Sequence, residues 1–455
     1  MRATNNFLKT YFLPALFLLL AIPQLIAQTT YSGQTAYGGT KDDFTESLEP
    51  TLDGGYIMAG YSLSYDNNYS PHLTKFDSLG GIVWSNTYGT GYGFAYDAKA
   101  TTDSGYIFAG YLDEFGSYTR DYYLVKTDAL GKTTWTKDYG GRGSEEANSI
   151  QVTHDGGFVF TGYSNSNNGK GDVYLVRTND IGDTLWTKTF GGLGIDGGNS
   201  VWETKDNGFI ITGETYSYGD GTVNAYLIRT DDKGEVIWTQ TFGGNGIEQG
   251  NSVQETTDGG FIITGRTNSF GAGDYDVYLI RTDNKGKKIW MHTFGGSGSE
   301  DGRSVKQTNN GGFIITGYTM SYGQGGSDIF LIRADKDGNQ IWTQTYGGAT
   351  DDLGNAVQET HDGGFVIAGH TNSFGNGVDA YLIRTDSDGN RVWEYTYGEN
   401  SDDFGNSVDQ TSDGGFIIGG STVGTSDGGT AEKVKNIYLI KTDASGLIKT
   451  EGRPK

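Results

Sequence analysis

The chain contains no cysteine, and only 5 prolines, 4 methionines and 5 histidines in 455 residues. Without cysteine, disulfides, thiolate metal centres and lipid attachment through an N-terminal thiol are all excluded. The histidines (His72, His154, His292, His361 and His370) show no metal-ligand spacing. His154 and His361 each precede an Asp-Gly-Gly turn and are read as surface residues. No Ser-His-Asp order, phosphate loop or zinc motif is present. Basic residues are also in deficit: 33 Lys and Arg against 56 Asp and Glu leave a net charge of −23. Nucleic acids and anionic membranes are poor partners for such a surface, because phosphate binding requires basic patches. Nor is there a long 3.6-residue periodicity, which excludes a helical architecture.

Glycine is abundant, at 75 residues, and it falls at fixed places. An Asp-Gly-Gly or similar step recurs at Asp53, Asp103, Asp155, Asp206, Asp258, Asp362 and Asp413, with Asn310 in the remaining slot, at intervals of 50 to 52 residues. Seven tryptophans keep the same rhythm: Trp84, Trp135, Trp186, Trp238, Trp290, Trp342 and Trp393. A long period repeated eight times marks an array of one supersecondary unit. Within one unit, Asn251–Thr256 alternates like a short strand and Asp258-Gly259-Gly260 turns the chain. Phe261–Gly265 and Asp276–Arg281 are rich in β-branched and aromatic residues, and Lys288–Phe294 completes the unit after an Asp283–Gly286 turn. Each repeat therefore reads as four antiparallel strands. The second and third are apolar at consecutive positions, so both faces of each small sheet need cover. An eight-bladed β-propeller supplies it by stacking each blade between two neighbours. A linear β-solenoid is the alternative.

The segment Asp231-Asp232-Lys233-Gly234-Glu235-Val236-Ile237-Trp238 resembles the tryptophan-docking motif of quinoprotein propellers, with a turn one residue shorter and without its threonine. The Asp-Gly-Gly-Phe and Leu-Ile-Arg-Thr-Asp steps are similar to those of secreted bacterial propeller-repeat proteins. The resemblance implies that each Trp lies on an outermost strand and docks against the next blade. It implies no quinone, since adjacent cysteines and a coherent cofactor-ligand set are missing. Trp202 stands off this register, on an inner strand, where it is expected to line the channel.

Arg2 and Lys9 precede an apolar run from Tyr11 to Ala27, so residues 1–28 read as a secretory signal and 29–455 as one propeller domain. The final blade lacks its Trp, and Thr30–Tyr37 precedes Gly38-Gly39, where an outer strand belongs. The N-terminal segment is expected to supply the outer strand of blade eight; seven blades with irregular ends is the alternative.

Candidate site residues lie on the face carrying the Gly-Gly crossovers. Four residues past the second glycine position stand Asp43, Phe94, Glu145, Asp196, Glu248, Glu300, Asp352 and Asp403. Three positions on come Glu46, Asp97, Asn148, Asn199, Asn251, Arg303, Asn355 and Asn406. Two readings stay open. The oxygens accept hydrogen bonds from crossover amides, or they ring the channel entrance and take a Ca²⁺ ion or a cationic ligand. Aromatic residues recur in the loops of the same face (Tyr218, Phe270, Tyr322 and Phe374, with Tyr65 nearby in repeat one), either stacking sugar rings or packing between blades. Loop eight, between Gly420 and Ile437, is the longest and carries Glu432, Lys433 and Lys435. A basic series (Lys75, Lys126, Arg177, Arg229, Arg281, Arg333, Arg384 and Lys441) is read as structural pairing at strand ends.

These features point to a secreted, monomeric, non-catalytic propeller that binds glycan or protein on its loop-rich face, without membrane insertion once the signal is removed. A polysaccharide-active enzyme using two channel-mouth carboxylates and a purely structural surface protein are the alternatives.

Overall fold

The computed structural model describes residues 33–38, 41–64, 68–113, 119–166, 170–375, 377–398, 402–425 and 433–448. The signal segment, Tyr65 and Glu432 lie outside them. The described residues form thirty-two strands in eight four-stranded sheets, and seven of the sheets are simple antiparallel meanders. In the eighth, Asp402–Gln410, Phe416–Thr425 and Lys433–Thr442 are joined by Gly33–Tyr37, which pairs antiparallel with the last of them from Gly33↔Lys441 to Tyr37↔Ile437. The first strand of each blade packs against the first strand of the next, and Asp402–Gln410 packs against Asp43–Pro50. The ring is closed: this is an eight-bladed β-propeller, sealed by its N-terminal strand.

Sequence patterning explains the stacking. In blade five, Phe261–Thr267 is buried at every position but Arg266, and Asp276–Thr282 is buried throughout. The outermost strand, Lys288–Phe294, is exposed at its start and buried only at Phe294. Each seam between blades holds an apolar cluster drawn from both sides. Ile262, Val277 and Leu279 of blade five, for example, meet Phe313, Ile315, Phe330 and Ile332 of blade six. The closing seam follows the same plan, with Leu48, Met58 and Phe76 meeting Ile417, Ile437 and Leu439.

Polar ties repeat from seam to seam. Trp84, Trp186 and Trp238 donate their indole N–H to a carbonyl in the next blade's last hairpin, at 3.0, 3.1 and 3.2 Å. Tyr88, one residue past its strand, and Tyr139, Tyr346 and Tyr397, which end theirs, donate to the carbonyls of Gly131, Gly182, Gly389 and Gly446. Tyr37 makes the equivalent bond to Gly80 across the closing seam, at 3.0 Å. The place opposite the strand-end cation, held by Trp in the other seven blades, is held here by Gly33, which faces Lys441. The cations themselves are buried. Arg281, 4 % exposed, donates to the Phe261 and Thr282 carbonyls and to Asp258 in the turn. The series thus pins each strand end to its own Asp-Gly-Gly hairpin.

Candidate ligand-binding face

The innermost strands carry a β-bulge that decides where their side chains point. The ladder to the second strand slips by one residue between Gly250 and Ser252, leaving Asn251 unpaired, and the same slip recurs in every blade. Bulge residues reach round the channel to the next blade. Asn148, Asn199, Asn251 and Asn355 donate to the carbonyls of Gly198, Gly250, Gly302 and Gly405 at 2.8–3.1 Å. Asn406 closes this circle on Thr45 at 2.8 Å.

This register corrects the alignment of blade two. Ala95 faces Gly110 as Thr45 faces Gly60, so the bulge residue there is Tyr96, and Phe94 matches Phe44 rather than Asp43. Asp97 falls in the serine position. It accepts the Ile150 amide at 3.1 Å, just as Ser47 accepts Ala98 and Ser149 accepts Val201.

The first carboxylate series lies beneath the crossovers. Asp43, Glu145, Asp196, Glu248, Glu300 and Asp352 are 0 % exposed and Asp403 is 1 % exposed, so the reading that they ring an open channel entrance is corrected. Their positions share the side-chain direction of Gly250 and Val253, which face the preceding blade. Backbone amides of Gly141, Gly192, Gly244, Gly296 and Gly348 donate to Glu145, Asp196, Glu248, Glu300 and Asp352 at 2.8–3.1 Å. Hydroxyls of the strand-two loops donate to the same groups, as Ser217 does to Asp196 at 2.5 Å. The carboxylates staple crossover to loop. Among the described residues, no three acidic or histidine side chains gather in a way that could hold a metal ion.

Across a crossover glycine, Asp196, Glu248, Glu300, Asp352 and Asp403 also meet the residue that opens the third strand of the blade before: Asp172, Asn224, Asp276, Asp328 and Asp379. Asp328 and Asp352 press on Gly347 from two sides, so a β-carbon there would lie 2.4 Å from an oxygen of each. Gly347 has φ +151°, outside the range L-residues favour. Burial, and secondarily the Asp352 charge, push the Asp328 pKa up to about 6 from an ordinary 3.8. A folded-state value above the unfolded one favours folding fully below the unfolded pKa, and that contribution is lost as pH rises through about 6. Blade four already carries an amide, Asn224, at this place opposite Glu248. Asp328→Asn is therefore expected to raise the melting temperature at pH 8, by the equivalent of at most about 3 kcal/mol, and to leave it unchanged near pH 4. Melting curves of both proteins across that range check it.

The loop aromatics pack against their own third strands. Tyr218, Phe270, Tyr322 and Phe374 lie 5.7–6.1 Å from the rings of Tyr226, Tyr278, Phe330 and Tyr381. The Tyr218 and Tyr322 hydroxyls donate to the crossover carbonyls of Gly191 and Gly295. Tyr218 also borders a seam cleft of about 550 Å³ with Phe190, Tyr226 and Gln240. The long loop eight proves to be an extended hairpin, its two ten-residue arms paired out to Thr425↔Lys433.

Two features, Trp202 apart, escaped the sequence reading. One is a ring at the channel waist, two residues past the serine position: Glu49, Lys99, Gln151, Trp202, Gln254, Lys306, Gln358 and Asp409. Lys99 donates to Asp97 at 2.9 Å and to Glu49 at 3.2 Å. Lys306, from the opposite side of the ring, forms no ion pair among the described residues. Partial desolvation lowers its pKa, as does the Lys99 ammonium, while Glu49 and Asp409 oppose them. The other feature is an aromatic lobe on the crossover face of blades one and two. Phe44 stacks on Tyr61 at 5.5 Å, Tyr61 meets Phe94 edge-on at 4.4 Å, and Phe94 stacks with Tyr69 at 5.9 Å and Tyr96 at 6.2 Å. Tyr92 leans on Tyr69 and Tyr111 from outside. Comparing the innermost strands position by position would have exposed both, because these are the places where the repeats disagree.

No family model matches the chain. It is 25 % identical over 164 residues to the regulatory protein FlaEY of Caulobacter vibrioides, a match spanning 30 % of this chain and 17 % of that protein's length. Among solved structures it is similar to Sqt1 from Chaetomium thermophilum (TM-score 0.44, 11 % identity, covering 72 % of this chain and 80 % of that one). The Neurospora crassa Pan2 WD40 domain gives a TM-score of 0.44 at 11 % identity, covering 74 % and 91 %. A puromycin hydrolase gives 0.42 at 11 % identity, covering 89 % and 63 %.

Proposed function

We propose that this is a secreted, non-catalytic binding propeller that engages a glycan or protein ligand on the crossover face, around the channel. One observation carries the reading. The blades repeat almost residue for residue in their hairpins, seams and strand-end cations, and depart from one another where the inner strands border the channel and its mouth. Aligned with Phe44 and Tyr61 stand Phe94 and Tyr111, Glu146 and Tyr163, Gly197 and Glu214, Gln249 and Arg266, Asp301 and Tyr318, Leu353 and His370, and Phe404 and Ser421. Stacking tolerates all of these pairs, so packing does not dictate them. A rigid scaffold presenting a varied surface is how binding sites are commonly built. Secretion is supported by the apolar run from Tyr11 to Ala27 behind Arg2 and Lys9.

A glycan array run beside an assay for reducing-sugar release, with and without chelator, tests the proposal. Binding without sugar release is expected. Turnover of any bound polysaccharide would replace it with an enzymatic role, and the chelator arm reads any calcium dependence separately.

A further inference from the structure

We infer that the aromatic lobe of blades one and two is a carbohydrate subsite for a neutral pyranose chain; this rests on the proposal that the crossover face binds ligand. Tyr61 and Tyr111, 9 % and 2 % exposed, form its floor. Phe44, Tyr69, Phe94 and Tyr96 are half-buried above them, and Tyr92 is 39 % exposed at the edge. The cluster is not a demand of the fold, since blades four to six close the same seams with Gly197, Gln249 and Asp301 in the Phe44 position. It is a local addition of flat, partly solvated rings.

The surroundings select the ligand's chemistry. Two cations adjoin the lobe and both face acids. The Arg120 guanidinium lies 4.6 Å over the Tyr111 ring, bonded to Glu146 and 3.8 Å from Asp113. The Lys435 ammonium lies 5.3 Å over Phe44, within electrostatic reach of Glu46. Among the described residues the lobe therefore offers no uncompensated positive charge, and the protein as a whole carries −23, which disfavours polyanions such as polyuronates. Nor does it resemble a groove for an apolar helix. Five of its seven rings are tyrosines, and such grooves need an amphipathic partner laid along aliphatic or Met-rich walls. A pyranose ring matches it better. Its C–H face covers an aromatic ring, and its equatorial hydroxyls find planar charged partners in Glu46, Glu146 and Arg120 at the rim. A few polar groups set around an apolar platform are the usual make-up of a ligand site.

The test is calorimetry or affinity electrophoresis with soluble neutral oligosaccharides (cello-, xylo-, manno- and laminari-hexaose), with polygalacturonate as the charged comparison. Tyr92→Ala and Tyr96→Ala are each expected to weaken binding of at least one neutral hexaose tenfold or more. Tyr92→Phe should retain it, and all variants should melt within a few degrees of the parent. If neutral sugars bind but neither alanine variant weakens them, the lobe assignment falls while glycan binding stands. If only polygalacturonate binds, the neutral-sugar assignment falls while the face keeps its binding role. Silence toward all hexaoses overturns it outright.

Discussion

Deleting residues 33–37 is expected to cost on the order of 5 kcal/mol or more and to make the protein self-associate. The loss combines five ladder pairs, each hydrogen bond worth about 1 kcal/mol net, with the packing of Tyr37, for which aromatic truncations suggest roughly 3–5 kcal/mol. Tyr37 packs 5.2 Å from Phe76 and donates to Gly80, so the deletion opens the seam between blades eight and one as well as the sheet. It also uncovers the outer edge of the last strand from Ile437 to Lys441, a template for another chain. Melting and size-exclusion measurements read both effects. A synthetic peptide of residues 29–40 should restore the transition in trans, and a deletion protein that stays monomeric with unchanged melting would show the strand to be decorative.

Trp238→Ala should destabilise by about 3–5 kcal/mol while sparing any ligand bound at the mouth. The indole stands edge to face with Phe261 of the next blade at 5.8 Å and donates to the Asn284 carbonyl. The hairpin it touches leaves no slack: a β-carbon on Gly286, whose φ is +77°, would lie 2.7 Å from the indole. Trp238→Phe keeps part of the packing and loses the donor, so an intermediate loss is expected. Full stability with abolished binding would instead make the tryptophan a ligand platform.

The blade count, the four-stranded unit, the N-terminal closing strand and the role of the strand-end cations were all legible in the sequence. A fixed spacing of Asp-Gly-Gly turns and tryptophans defines them without reference to side-chain direction. Direction was where the reading failed. Counting from the crossover glycines assumes crossovers of equal length, but the one entering blade two is a residue shorter (Tyr88 to Gly93, against Phe242 to Glu248), so Phe94 is placed where Gly93 belongs. The acids at Asp196 or Glu300 looked like a ring because they recur, yet recurrence marked them as seam parts buried at every copy. The waist lysines and the aromatic lobe are hidden for the converse reason: they are exceptions to the period of the repeat.

Gly33 pairs with Lys441, about four hundred residues away along the chain. Seven blades can assemble from neighbours in order, each using contacts close in sequence, whereas the eighth waits for both extremities. The strand that seals the ring is thus separated from its partner by nearly the whole array of blades, and closing so long a loop carries the largest entropy cost of any described strand pairing. Until then the nascent protein is an open arc with two sticky ends, so the speed of that final clasp sets how long each copy is exposed to its neighbours.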